Sequence, residues 1–198
     1  MEIRGANRIL ELMANRAGAA EHVVSFYRDP ACIVDQVTAF IREGLAEGEQ
    51  VIAVATRAHW EAVAARLEQT GVDHARAGAA GELKVVEAED ILEQITVDGD
   101  VSVDRFRETL APLLRPGRTA RIYGELVSLL AERGDLEAAI ALEAVGREFT
   151  EALGVRILCG YQVQPLLTPI VVRRIEVLHD RSIFQPAGKR PARLVPRL

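Results

Sequence analysis

The sequence predicts a three-layer α/β domain: a mainly parallel sheet flanked by helices. Three observations carry that expectation. Short β-branched apolar runs alternate with helix-spaced segments along nearly the whole chain, the signature of βαβ units. The residues are 49% hydrophobic but only 5% aromatic, so Ala, Val, Leu and Ile dominate, as in strands covered on both faces. Glycines fall where successive helical patterns stop. A length of 198 residues suits one domain.

Taken in order, residues 6–19 read as a short helix with Ile9, Leu12 and Met13 on one side. His22-Val23-Val24-Ser25-Phe26-Tyr27 is the first strand, broken by Arg28-Asp29-Pro30. Ile33, Val34, Val37, Phe40, Ile41 and Leu45 then recur at helical spacing, with Gly48 just beyond. Residues 50–56 form the second strand, and Thr56 caps a helix presenting Trp60, Val63, Ala64 and Leu67 as far as Gly71. Residues 83–88 are the third strand, followed by a short helix around Ile91–Ile95 and an Asp98-Gly99 turn. Ser102 caps a helix carrying Val103, Phe106, Leu110 and Leu113. The fourth strand is 119–125, with a helical stretch to Arg133 and a stop at Gly134. Asp135 caps a long helix to about Leu153, with Gly154 as its stop. Residues 155–161 are the fifth strand, and Thr168-Pro169 opens a last helix to about His179.

This divides the chain into a helical lead-in (1–20), a domain (21–180) and a basic, Pro-containing tail (181–198), expected to be poorly ordered. From Asp180 onward Arg181, Lys189, Arg190, Arg193 and Arg197 face a single acid. The formal charge of −5 argues against direct nucleic-acid binding. No apolar run approaches the roughly 20 residues that span a bilayer, and the N-terminus lacks a secretory signal core. Cys32 and Cys159 form no paired motif. A cytoplasmic protein with reduced thiols is expected.

Ligands of open α/β sheets bind beyond the carboxyl ends of the strands. The loop after Tyr27 occupies the place of a phosphate-binding P-loop, but Arg28-Asp29-Pro30-Ala31-Cys32 holds neither glycine nor a Lys-Ser/Thr pair. Asp29 and Asp35 would repel a polyphosphate, so ATP turnover is not expected there. The chain has no G-x-S-x-G elbow, H-E-x-x-H helix or G-x-G-x-x-G loop. His22, His59, His74 and His179 share no metal-ligand spacing, so neither metal nor cofactor is expected. His59 and His74 read as surface residues. Glu125, after Tyr123-Gly124 at the end of a strand, is either a site carboxylate or a helix cap. Glu143 is either solvated or a buried partner within an Ala/Leu-rich helix. Cys159 reads as a buried thiol, and Tyr27 and Tyr161 as stacking or rim aromatics.

Several of these segments together resemble the MEDS sensory domains, named for methanogens, methylotrophs and a dichloromethane-responsive regulator. His22 through Phe26-Tyr27 is similar to the family's H-x-x-x-F-Y opening, and Phe40 to Glu49 to its F-x-x-x-G-L-x-x-x-E helix end. Val51–Thr56 matches its second strand. Arg121-Ile122-Tyr123-Gly124-Glu125-Leu126-Val127 resembles its R-x-x-G-E-M-V segment, with Leu126 in place of Met. Leu142-Glu143, Leu158-Cys159-Gly160-Tyr161 and His179 match further segments, whereas Ala144-Val145-Gly146 replace a usual aromatic. The resemblance implies a RecA/KaiC-like core without a functional P-loop, used to sense hydrocarbon derivatives or other small signals. No helix-turn-helix or kinase core accompanies it here.

The expected function is therefore a non-catalytic signal-sensing module. It would bind a small-molecule signal at the carboxyl edge of the sheet and pass the signal to a partner such as a kinase or transcription factor. The candidate ligand residues are His22, Tyr27, Arg28, Thr56, Glu125, Cys159 and Tyr161. Phe26, Gly124, Glu143 and His179 are family-motif positions. The alternatives are a ligand-free interaction module, of the partner-switch or anti-sigma type, and a nucleotide binder that does not hydrolyse ATP. No membrane contact is expected, and a homodimer is compatible with the sequence.

Overall fold

A computed structural model describes residues 20–163, 167–185 and the strand backbone of 193–196. The expected lead-in helix over 6–19 lies outside these residues. The sheet is built from β1 (Glu21–Tyr27), β2 (Gln50–Ala55), β3 (Leu83–Glu87), β6 (Ala120–Gly124), β7 (Arg156–Gln162), β8 (Arg181–Phe184) and β9 (Arg193–Pro196). Its order is β3-β2-β6-β7-β1-β8-β9. All neighbours are parallel except the β8–β9 pair at one edge. β4 (Thr96–Val97) and β5 (Asp100–Val101) form a separate small hairpin. Its turn is Asp98-Gly99, with φ of 51° and 93°, the conformation that a tight two-residue hairpin requires.

The helices are α1 (Pro30–Ala46), α2 (Arg57–Gln69), α3 (His74–Ala79), α4 (Ala88–Ile95), α5 (Val103–Leu110), α6 (Leu126–Glu132), α7 (Leu136–Leu153) and α8 (Pro169–Glu176). Most start where the sequence places a capping side chain. Thr56, Ser102, Asp135 and Thr168 each accept a hydrogen bond from a backbone N–H in the first turn.

Because side chains alternate along a strand, the sheet divides the core in two. Val24, Phe26, Ile52, Val54, Ile122, Ile157, Cys159 and Tyr161 pack against α4 to α7. Val23, Tyr27, Val51, Ala53, Ala55, Tyr123, Leu158 and Ile183 pack against α1 and α2. β2 is followed by a helix on one face, and its neighbour β6 by a helix on the other. The crevice between their carboxyl ends is thus a topological switch point, the expected ligand position in such sheets.

At the opposite, amino end of the sheet Arg121 is buried in an acidic nest. Its guanidinium donates to Glu49, to Glu43 at 3.1 Å and to Glu47 at 2.8 Å. Arg156 approaches Glu47 and Glu49, each at 3.2 Å. Gly44 makes room for this: a Cβ there would stand 2.9 Å from Arg121 Cδ and 2.8 Å from Val51 Cγ2. The Phe40-to-Glu49 and Arg121 motif positions therefore meet as one structural lock.

Two segments differ from expectation. α8 ends at Glu176, so Leu178 and His179 turn back under β1 instead of extending the helix. The tail assigned to 181–198 contributes β8, which pairs with β1 from Val23↔Arg181 to Phe26↔Phe184. Ser182 and Ile183 are buried there. The run is too short, and too close to basic residues, to read as a strand. It is formed by pairing with β1 rather than by local propensity.

Candidate functional site

Two polar clusters lie on opposite faces of the sheet, at different heights along its strands. The first occupies the β2/β6 switch point. Glu125 follows β6, and its carboxylate folds back rather than capping α6. Oε2 accepts the Thr56 N–H at 2.6 Å, and Oε1 accepts the Tyr123 hydroxyl at 2.6 Å. His59 Nδ1 lies 2.5 Å from the same Oε1. Glu125 is 1% exposed. Burial, then Glu125, pushes the Tyr123 phenol well above its usual range. Tyr27 meets His59 edge-on, with ring centroids 6.4 Å apart, and its phenol is raised by burial and by Glu125. Arg28 is exposed.

The turn after β1 is closed to phosphate by its own residues. Asp29 accepts the Ala31 N–H at 3.0 Å, and Pro30 removes a donor from the first turn of α1. A carboxylate therefore occupies the helix terminus where an anion would bind.

His59 was not expected among the functional residues. Its only sequence signal is its place three residues after the Thr56 cap. The hydrogen bond to Glu125 outweighs burial and raises its pKa above 6.5. The folded state thus holds the His59 proton more tightly than the unfolded chain. The resulting stabilisation is complete below the unfolded value near pH 6.5 and is lost as pH rises through the raised folded value. Against His59→Gln, the wild type is expected to be more stable by about 1–2 kcal/mol at acid pH. Thermal melts across the pH range should show this advantage shrinking towards alkaline pH; a pH-independent advantage contradicts the pairing.

The second cluster is buried on the α7 face. His22 (β1), Glu143 (α7), Cys159 (β7) and His179 (after α8) converge, with one donor atom of each within 4.8 Å of the others. Glu143 Oε2 lies 3.2 Å from Nε2 of His22 and 3.2 Å from Nε2 of His179. It accepts from Cys159 Sγ at 3.1 Å, and Sγ is 3.4 Å from His22 Nε2. The imidazole rings lie 3.9 Å apart. Each ring turns its other nitrogen to a backbone carbonyl, His22 Nδ1 to Leu178 O at 3.2 Å and His179 Nδ1 to Ile175 O at 2.7 Å. Burial, then His179, lowers the His22 pKa. Burial alone would raise Glu143, but His179 and His22 hold it well below the usual carboxylate range. Burial and Glu143 push the Cys159 thiol far up, and Tyr161, on the same face, is raised by burial, Glu143 and Cys159.

Gly146 makes this packing possible, since a Cβ there would lie 3.1 Å from His22 Cε1 and Nε2. Two histidines without ligand spacing in sequence thus stand beside a thiol and a carboxylate, a donor set that strand pairing and the turn after α8 assemble. Phe26 does not join the cluster; it stacks on Phe184, with centroids 5.0 Å apart.

The expected ligand residues therefore fall into two groups. Tyr27, Thr56 and Glu125 meet at the carboxyl edge, with Arg28 exposed beside them. His22 and Cys159 meet in the core, with Tyr161 on the same face. Next to the core group is an apolar cavity of about 50 Å³, lined by Val54, Gly124, Val127, Phe149, Glu143 and Cys159 among others. Val54 and Gly124 place it at the carboxyl half of β2 and β6.

No helix among the described residues is long and apolar enough to cross a membrane. Solved structures that share the fold include two archaeal proteins. One is a KaiC-like protein from the hyperthermophilic archaeon Pyrococcus horikoshii OT3, with TM-score 0.55, 10% identity, and coverage of 90% of this chain and 79% of that one. The other is an uncharacterized protein from Pyrococcus horikoshii in complex with an unknown peptide, with TM-score 0.58, 11% identity and coverage of 96% and 88%. No curated protein matches the chain. The family model for the methanogen/methylotroph, DcmR sensory domain matches residues 21–179, which span the sheet from β1 to the His179 turn and hold both polar clusters. The chain belongs to the MEDS sensory-domain family.

Proposed function

We propose that this chain is a non-catalytic sensor whose small, largely apolar ligand occupies the cavity between the carboxyl halves of β2 and β6 and helix α7. The observation that carries this reading is the cavity itself. It is partly enclosed and largely apolar, with a carboxylate and a thiol at one wall. Its volume of about 50 Å³ exceeds what a single water needs and is about a third of an apolar cavity that takes benzene. Molecules of a few heavy atoms, such as one- to three-carbon halogenated or oxygenated compounds, fit that size. The carboxyl edge outside it is occupied by the chain's own groups: Glu125 is held by Thr56, Tyr123 and His59, and Asp29 sits on the α1 terminus. These contacts favour sensing over nucleotide binding.

The element placed to relay occupancy is α8, because His179 follows it and meets Glu143 on the cavity wall. A partner regulatory protein would read the position of α8. Such relay requires the ligand to prefer one of two arrangements.

Gly124 provides the test. A Cβ at this residue meets nothing within 4 Å, and the residue lies on the cavity lining. Gly124→Val should fill the cavity without unfolding the chain. Amide NMR titration of the full chain with dichloromethane, methanol and acetone should give saturable shifts near Gly124, Val127 and Gly146 for at least one compound. Those shifts should vanish in Gly124→Val. Shifts that stay linear, or that persist unchanged in the variant, contradict the reading.

A further inference from the structure

We propose that His22, Glu143, Cys159 and His179 form a binding site for one divalent transition metal of the zinc class. Leu178 O and Ile175 O can only accept, so each imidazole must donate through Nδ1. A neutral ring then presents a bare Nε2 lone pair. Both Nε2 atoms point at the same Glu143 oxygen, itself an acceptor when ionised.

With both rings neutral, the Cys159 S–H, 3.1 Å from Glu143 Oε2 and 3.4 Å from His22 Nε2, is the proton hydrogen-bonded into this group of acceptors, and the Tyr161 hydroxyl is the further donor beside Glu143. Despite its 3.2 Å approach, His179 Nε2 makes no hydrogen bond, and neither does Glu143 Oε1. Lone pairs converging on one buried point are costly unless a proton on one imidazole or a metal cation stands there, and a metal serves all four donors at once.

The donor chemistry and spacing fit. Two imidazoles, a thiolate and a carboxylate are zinc ligands. Bonds of roughly 2.0–2.3 Å in a tetrahedron put its ligand atoms roughly 3.3–3.6 Å apart. The closest donor contacts here are 3.1, 3.2, 3.2 and 3.4 Å, so small side-chain adjustments open the centre. A carbonyl partner on the far nitrogen of each metal-binding histidine is the usual arrangement behind such a site. Binding would release the Cys159 proton to solvent. Thiolate, carboxylate, two neutral rings and a divalent ion then sum to zero charge, as a fully buried site requires.

This inference does not rest on the cavity ligand, since a metal here would order the fold whether or not the cavity is filled. The test uses tag-free full-length protein, refolded from denaturant with Zn²⁺ or Co²⁺ after chelation. One equivalent of metal should remain after desalting. The Co²⁺ form should show a thiolate-to-cobalt charge-transfer band and tetrahedral visible bands. Cys159→Ser should abolish the charge-transfer band, and His179→Gln should weaken binding by more than about 100-fold. Added Zn²⁺ should also raise the melting temperature of the chelated wild type, a readout that needs no variant to fold. Retention of less than one equivalent by folded wild type overturns the site. So does cobalt bound without a thiolate band, or with an affinity that folded His179→Gln leaves unchanged.

Discussion

Arg121→Met is expected to cost about 3–5 kcal/mol of folding stability, because it breaks a buried ion-pair network by removing its centre. Arg121 is 1% exposed and serves Glu43, Glu47 and Glu49 together. Its guanidinium also lies 5.3 Å from the Phe40 ring centroid. Burial opposes its charge, yet the carboxylates, Glu49 first, raise its pKa above the usual value. Removing the cation leaves Glu49, itself 5% exposed, with Arg156 as its remaining cation among the described residues. Urea denaturation of wild type and Arg121→Met should therefore give well-separated midpoints. The separation should narrow when Glu49→Gln is combined with it, since the stranded charge is then gone. A loss below about 1 kcal/mol would place the network among ordinary surface pairs.

Glu143→Leu is expected to cost about 3 kcal/mol, measured on chelated protein by the same method. Glu143 is the acceptor for the Cys159 thiol and the charge that both imidazoles face. A leucine there leaves two buried histidines and a thiol around an apolar group. Glu143→Gln keeps the volume and can donate an amide N–H to one Nε2, so it should cost clearly less. Equal losses in the two variants would mean that packing, not polarity, is what Glu143 supplies.

The sheet was legible because its strands are short apolar runs separated by capped helices. Thr56, Ser102, Asp135 and Thr168 all cap where their spacing predicts. β8 was not legible: Arg181 to Phe184 become a strand through pairing with β1, and nothing local announces it. The closed turn at Asp29-Pro30 could be read directly, since both the missing glycines and the opposing carboxylate are visible in the sequence. The core cluster could not. His22, Cys159 and Glu143 come from three elements and His179 from the turn after α8, and the parallel pairing of β1 with β7, the packing of α7 and that turn bring them together. The same chain distance explains why the candidate ligand residues divide between the edge and the interior. Residues that end strands collect at the edge, whereas His22 and Cys159 point into the α7 face below it.

The most direct test of the central claim, that the sensory ligand sits inside the domain, is a crystal structure of the full chain exposed to dibromomethane, with anomalous data at the bromine edge. The account predicts a bromine peak in the cavity bounded by Gly124, Val127 and Cys159, and no such peak in Gly124→Val. Bromine only at the outer carboxyl edge around Glu125 and His59, or only on the molecular surface, would contradict it.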